Sequence, residues 1–307
     1  LFITLSANSQ TDSSILIKYD TAFSKLNFLI KNNSIGDFKK AVFICENTFY
    51  GDTSSEEKFD KVIDYLKLLT EAWSLFNPIR NYKLSDSANF QNNFAIYHFL
   101  KDTTKLIIDN KEYIHLPYTY DFEDFFGRND WSTMFVTKLL MTNRGNCHSL
   151  PYLYKILADE IGATCWLSFA PNHMYIKNRC KKIGWYNTEL TSGEFPIDAW
   201  ILTSGYIPID AVRSGIYMDT LSNKQTIAQC VLDLAKGYEF QTKNYYDGFI
   251  LKCCDLTLKY HPQNVQAILL KAETLKRIYE NHGKVKSAVG MDTYAEMEKL
   301  YVQLFEL

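Results

Sequence analysis

No run of about 18 apolar residues occurs in this chain, so nothing in it reads as a membrane-spanning helix. An excess of charge of one sign is missing too. The net charge is −2, which leaves no electrostatic footprint for nucleic acid or an anionic membrane surface. A disulfide framework is absent: seven cysteines, at 45, 147, 165, 180, 230, 253 and 254, are scattered over 307 residues, and the odd count leaves at least one thiol unpaired. Zinc-ligand spacing is missing as well, since Cys253 and Cys254 are adjacent and His173 stands seven residues from Cys180. No metal and no cofactor are therefore expected.

What is present is ordinary globular composition, 47% hydrophobic and 22% charged, with 21 Tyr and 20 Phe. The length suggests about two domains. The first residues, Leu1 to Gln10, form an apolar run ending in Ala7-Asn8-Ser9. It resembles the tail of a secretory signal, and the competing reading is a first strand or extended arm. Export is the expectation on the first reading and a cytoplasmic location on the second. From Tyr19 to about Asp109 apolar residues recur at helical spacing, as in Phe23, Leu26, Leu29 and Ile30, or Phe59, Val62, Ile63, Leu66 and Leu69. Residues 115–131 break that period with aromatics interleaved by acids. They predict either a wall beside a substrate cleft or, favoured, a packed connection whose rings fill a seam.

The chemistry-bearing stretch runs from Asn143 to Thr191. Cys147 follows Gly145-Asn146 and precedes a helical run of Leu150, Leu153, Tyr154, Ile156, Leu157 and Ile161 that Gly162 ends. With Pro151 tolerable only near a helix start, Cys147 falls at the helix mouth, where unpaired N–H groups and the positive dipole end favour a thiolate. His173, just after Pro171-Asn172, opens the apparent strand His173 to Lys177, and can act as base and cation. On the next strand, Gly184 to Thr191, alternation puts Trp185, Asn187 and Glu189 on one face. Either Asn187 or Glu189 can reach the second ring nitrogen of His173, giving a nucleophile, base and orienting group on three separate elements.

That order of residues resembles the transglutaminase-like branch of the papain-like cysteine enzymes. The segment G-W-Y-N-T-E-L-T at 184–191 is similar to the family's Gly-Trp-x-x-Val-Asp-Pro-Thr, with Glu189 in place of Asp and Leu190 in place of Pro. The likeness covers roughly residues 121–200. It implies Glu189 as third member of the triad, with Asn187 as the alternative. A bacterial subgroup in which such a core precedes tetratricopeptide-like helices looks most similar; some of its members lack the cysteine, so Cys147 favours an active copy.

After the core, Pro196-Ile-Asp-Ala and Pro208-Ile-Asp-Ala predict two short helices whose Asp198 and Asp210 are first-turn acids. From Lys224 the helical period returns, and Gly237 and Ala272 stand near the spacing of about 34 of tetratricopeptide repeats. Fewer than two full repeats need a partner surface. The expected fold is α+β: a possible leader or arm at 1–13, a helical region at 14–120, a transglutaminase-like core at 121–217 and tetratricopeptide-like helices at 218–307. The expected function is a cysteine enzyme, a hydrolase by preference, acting on an amide or acyl bond of a protein or peptide through a thioester. The alternative is an idle protein-interaction module of the same fold, and in either case the C-terminal helices could hold a protein partner.

Overall fold

The computed structural model of the chain describes residues 4–34, 36–108, 111–281 and 288–306. The chain opens with α1 (Thr4–Asn32), α2 (Asp37–Phe49), α3 (Glu56–Phe76) and α4 (Ser87–Lys101). An antiparallel hairpin follows, β1 (Thr104–Ile108) with β2 (Lys111–His115), and then β3 (Thr119–Tyr120). A 3₁₀ turn (Trp131–Met134) leads to α5 (Val136–Thr142), β4 (Arg144–Gly145) and α6 (Ser149–Glu160). Next come β5 (Trp166–Ala170), β6 (His173–Cys180) and β7 (Gly184–Thr188), then α7 (Asp198–Ser204) and α8 (Ile209–Arg213). Four long helices follow, α9 (Asn223–Thr242), α10 (Phe249–Tyr260), α11 (Val265–Asn281) and α12 (Ala288–Glu306). The protein is α+β, mostly helical with three small sheets among the described residues.

Two compact units divide the chain: residues 1–54, 213–216 and 222–307 form one, residues 55–212 and 217–221 the other. The stretch 14–120, expected as one helical region, is thus shared between them, its first two helices joining the C-terminal ones. Two expectations for single elements are corrected. Residues 4–10 are helical, so the described part of the opening run is neither strand nor extended arm, and residues 1–3 lie outside the described residues. The helical reading to Asp109 stops at Lys101, because Thr104–Ile108 pairs with Lys111–His115 as strand. Between β3 and β4 the 3₁₀ turn and α5 are separate elements, divided at Phe135.

In the first unit, α1, α2, α9 and α10 share a core in which Tyr19, Leu26, Ile30, Val42 and Cys45 are buried. The Tyr19 ring meets Tyr238 at 5.0 Å, and Tyr238 meets Phe249 at 4.6 Å, in tilted and edge-on geometry that suits their quadrupoles. A capping box starts α9, with Ser222 and Gln225 exchanging backbone bonds. Cys45, Cys230, Cys253 and Cys254 are packing residues here, all buried, with Cys45 Sγ donating to the Cys230 carbonyl.

The second unit carries the site. Its main sheet has the order β5-β6-β7, all antiparallel. Helix α6 packs on β5 and β6 from one side and against α3, α4 and α5 on its others. Ser149 to Ala158 are buried, because a helix enclosed on several sides must be apolar nearly all round. Gly162, at φ 70°, ends it, as its lack of a Cβ allows. Residues 217–221 run beside β5, with Met218 N and Leu221 N donating to the Phe169 and Leu167 carbonyls. The outer side of β7 carries a single further bridge, Glu189 with Glu194, among the described residues.

Candidate active site

The mouth of α6 is built by the residue before the cysteine. Asn146 is fully buried, and its Oδ1 accepts from the backbone N–H of His148 at 2.9 Å and of Ser149 at 3.1 Å. In return Ser149 Oγ accepts from Asn146 N at 3.1 Å, a reciprocal pair of bonds that fixes Cys147 in the turn leading into α6. Asn146 Nδ2 donates to the Phe125 carbonyl at 3.1 Å, so the same amide also fastens the 121–130 loop. Gly145 is required by the closeness of this packing. A Cβ there would stand 2.6 Å from Ser149 Oγ and 2.8 Å from Leu139 Cδ1.

Cys147 is half-buried whereas the other six thiols are buried. Its Sγ lies 3.9 Å from the Asn172 carbonyl, on the two-residue turn between β5 and β6. Asn172 occupies the left-handed region at φ 53°, which Asn tolerates, and so delivers His173 to the first position of β6. His173 Nε2 and Glu189 Oε2 are 2.5 Å apart. Burial opposes charge on the ring, but hydrogen bonds to Cys147 and Glu189, and their charges, outweigh it. The His173 pKa is pushed up to about 10 from its ordinary 6.5. Burial likewise opposes charge on Glu189, yet its bonds to His173 and Thr191 win, and its pKa is lowered.

Strand register explains why Glu189 and not Asn187 reaches the histidine. Asn187 stands opposite Lys177, four residues and roughly 13 Å along the strand from His173. Its amide is engaged elsewhere, Nδ2 donating to the Pro196 carbonyl at 2.9 Å and to Asp198 Oδ1 at 2.7 Å. Continuing the register puts Glu189 opposite Tyr175 and diagonal to His173, a span of about 7–8 Å between backbones that a long side chain crosses. The extra methylene of Glu over Asp is what the diagonal asks for. Both carboxylate oxygens are used, since Oε1 accepts from Thr191 N at 2.8 Å and Thr191 Oγ1 at 2.7 Å. The backbone is fastened as well: Glu189 N donates to the Glu194 carbonyl, Gly193 N and Glu194 N to that of Glu189, and Tyr97 Oη to the Gly193 carbonyl. Leu190, where the resembled family has Pro, is fully buried.

Three residues at this site are given no role by the sequence reading of its chemistry. Asn146 and Thr191 look like turn and strand-end residues until their bonds are seen. Tyr120 comes into the site because β3 pairs in parallel with β4, matching Tyr120 with Gly145 two residues before Cys147. Its phenol pKa is pushed up to about 12 by burial and by the charges of Cys147, Glu189 and Asp121. The rings of residues 115–131 divide: Tyr118 is buried, whereas those of the neighbouring loop are not. Phe122 is 81% exposed and Phe126 47%, so these rings face solvent rather than fill a seam. The loop is held instead by Asp124, whose carboxylate accepts from the backbone N–H groups of Arg128, Asn129 and Asp130. Among the described residues no cluster of three His, Cys, Asp or Glu could hold a metal ion. No helix among them is long and apolar enough to cross a membrane.

No family model matches the chain, and no curated protein matches it. Among solved structures it is similar to the crystal structure of menin, described as revealing the binding site for Mixed Lineage Leukemia (MLL) protein. The alignment covers 93% of this chain and 69% of that one, at 10% identity and a TM-score of 0.41.

Proposed function

We propose that the second unit is a cysteine acyl-transfer enzyme of transglutaminase-like kind, with Cys147 as nucleophile, His173 as acid and base, and Glu189 as the orienting carboxylate. The observation that carries this reading is the short His173–Glu189 contact, 2.5 Å, on a ring whose pKa is also raised by Cys147, the only half-buried thiol of the seven. A ring whose charged form is this strongly favoured is suited to stabilise negative charge on the Cys147 sulfur and to give a proton to a leaving amine.

In the proposed reaction Cys147 Sγ attacks the carbonyl carbon of an amide. The carbonyl oxygen becomes an oxyanion at the helix mouth, where the Cys147 N–H takes no part in the reciprocal bonds and can donate to it. His173 gives its proton to the departing amine as the C–N bond breaks, and an acyl thioester remains on Cys147. Water or a second amine then attacks, His173 takes its proton, and the thiol is released with the acid or new amide. Throughout, Glu189 keeps the ring in one orientation and stabilises its charge.

The test is acyl capture. Full-length protein mixed with p-nitrophenyl acetate should release p-nitrophenol in a burst and gain one acetyl mass on the peptide bearing Cys147, and Cys147→Ala and His173→Ala should lose both. Equal acetylation of Cys147 in wild type and His173→Ala would remove the enzyme reading and leave the idle binding module.

A further inference from the structure

Away from Cys147, the second unit contains a cavity of about 590 Å³ between α4 and β7, closed on a third side by the segment that precedes α7. That volume is within the range of roughly 300–1,000 Å³ seen for small-ligand sites. Its wall is built largely of aromatic rings, among them Phe94 and Tyr97 from α4, Tyr186 from β7, and Phe195. Tyr97 and Phe195 stand 4.5 Å apart between centroids, and Tyr186 and Phe195 6.4 Å. Asp198 is the one carboxylate of the lining, and no Lys or Arg belongs to it.

These features select a ligand by charge and by hydrogen-bond demand. An anion would meet aromatic rings, whose faces carry negative potential, and a carboxylate. A cation would meet both favourably. A primary ammonium, however, needs about three acceptors, and most of the wall's polar groups are already engaged, Asn187 Oδ1 being one buried acceptor that has no hydrogen-bond partner. The Tyr97 hydroxyl donates to the Gly193 carbonyl, that of Tyr154 to Asn93, and the Asn187 amide to Pro196 and Asp198. The last bond also orients Asp198, whose side chain remains 56% exposed. His98, a further lining residue, is paired with Asp102 and stacked on Trp73. Two basic groups approach without joining the lining: Lys177 Nζ is 3.9 Å from Asp198 but donates to the Met218 carbonyl at 2.7 Å, and the Arg179 guanidinium sits 5.3 Å over the Trp185 ring. The latter is a cation on an aromatic face at the rim of the same cavity.

We propose that this cavity binds a quaternary or fully methylated ammonium group, held by the faces of Phe94, Tyr97, Tyr186 and Phe195 and by the charge of Asp198. Such a group brings the positive charge and asks for no hydrogen bond.

Choline and its uncharged carbon isostere 3,3-dimethylbutan-1-ol separate charge from shape, with binding to the full-length protein followed by calorimetry and by aromatic proton shifts. Choline should bind about tenfold tighter than the alcohol. Phe195→Leu and Asp198→Asn, both at partly exposed positions, should each weaken choline about fivefold and leave the alcohol unchanged; the amide introduced by the second change keeps an oxygen for Asn187 to bind. Nα-acetyl-trimethyllysine amide distinguishes the source of the group: tighter binding than choline assigns the site to a protein side chain, weaker binding to a free amine. Equal affinity for choline and the alcohol, or choline binding indifferent to both substitutions, overturns the proposal, and Cys147 labelling unchanged in both variants keeps that result separate from the reading of the active site.

Discussion

At the scale of single residues the site makes its own controls. Cys147 should be the fastest of the seven thiols to react with iodoacetamide near pH 6, but exposure alone predicts some of that advantage, because the other six are buried. His173→Ala isolates the electrostatic part. It leaves the thiol at least as accessible, so slower labelling by roughly tenfold or more measures the lost imidazolium, and unchanged labelling refutes the ion pair. Glu189→Gln should lower the His173 pKa measured by NMR, whereas Asn187→Ala should leave it in place and cost about 1 kcal/mol of stability through its two lost bonds. A pKa moved by Asn187→Ala would return the orienting role to the amide.

The same pair sets a pH signature. The folded-state pKa of His173 is raised from 6.5 to about 10, so its charged form contributes stability fully below about pH 6.5, and that contribution fades as the pH rises toward 10. Glu189 is lowered from 4.5, so its contribution is present above that value and is lost on acidification. The melting-temperature gap between wild type and Glu189→Gln should therefore be widest between about pH 4.5 and 6.5 and narrow on both sides. A gap that is flat from about pH 4 to 9 contradicts the pairing.

At the scale of elements, the helix mouth is the part most sensitive to substitution. Gly145→Ala drives a methyl into Ser149 Oγ and Leu139, and moving Ser149 breaks the reciprocal bonds that fix Cys147 in the turn before α6. Destabilisation of about 1–3 kcal/mol with a fall in Cys147 labelling is expected. Chemical denaturation showing no loss would mean that α5 yields instead. This is also the scale at which the sequence is most informative. Helical periods put α1 to α4, α6 and α9 to α11 near their observed positions, because an amphipathic stripe is written in residue spacing. The β1-β2 hairpin escapes that reading, since Lys105, Leu106, Ile107 and Ile108 offer no period that separates strand from helix. The choice of Glu189 over Asn187 is equally illegible, since both share a strand face and only the register with β6 separates them. Tyr120 needs the parallel pairing of β3 with β4, a contact between residues more than twenty apart.

At the scale of the whole molecule, the division of the chain changes what truncation should do. The first unit takes its helices from both 1–54 and 222–307. Removing residues 222–307 strips α9 and α10 from α1 and α2, leaving Tyr19, Leu26, Ile30 and Val42 in water at about 1.5–3 kcal/mol each. The truncated chain should aggregate, and further deletion of residues 1–54 should restore solubility by removing the stranded faces. A soluble 1–221 fragment with an unchanged melting temperature would sink this expectation.

The interrupted first unit also has a consequence for biosynthesis. Helices α1 and α2 leave the ribosome well before α9, their main partner, with all of the second unit made between them. At about 5–20 residues per second, the roughly 170 residues between α2 and α9 correspond to a wait on the order of ten to thirty-five seconds. During that interval two helices with bare apolar stripes remain tethered to a nascent domain that can already collapse, the condition in which a holdase such as a ribosome-bound chaperone protects the newborn chain.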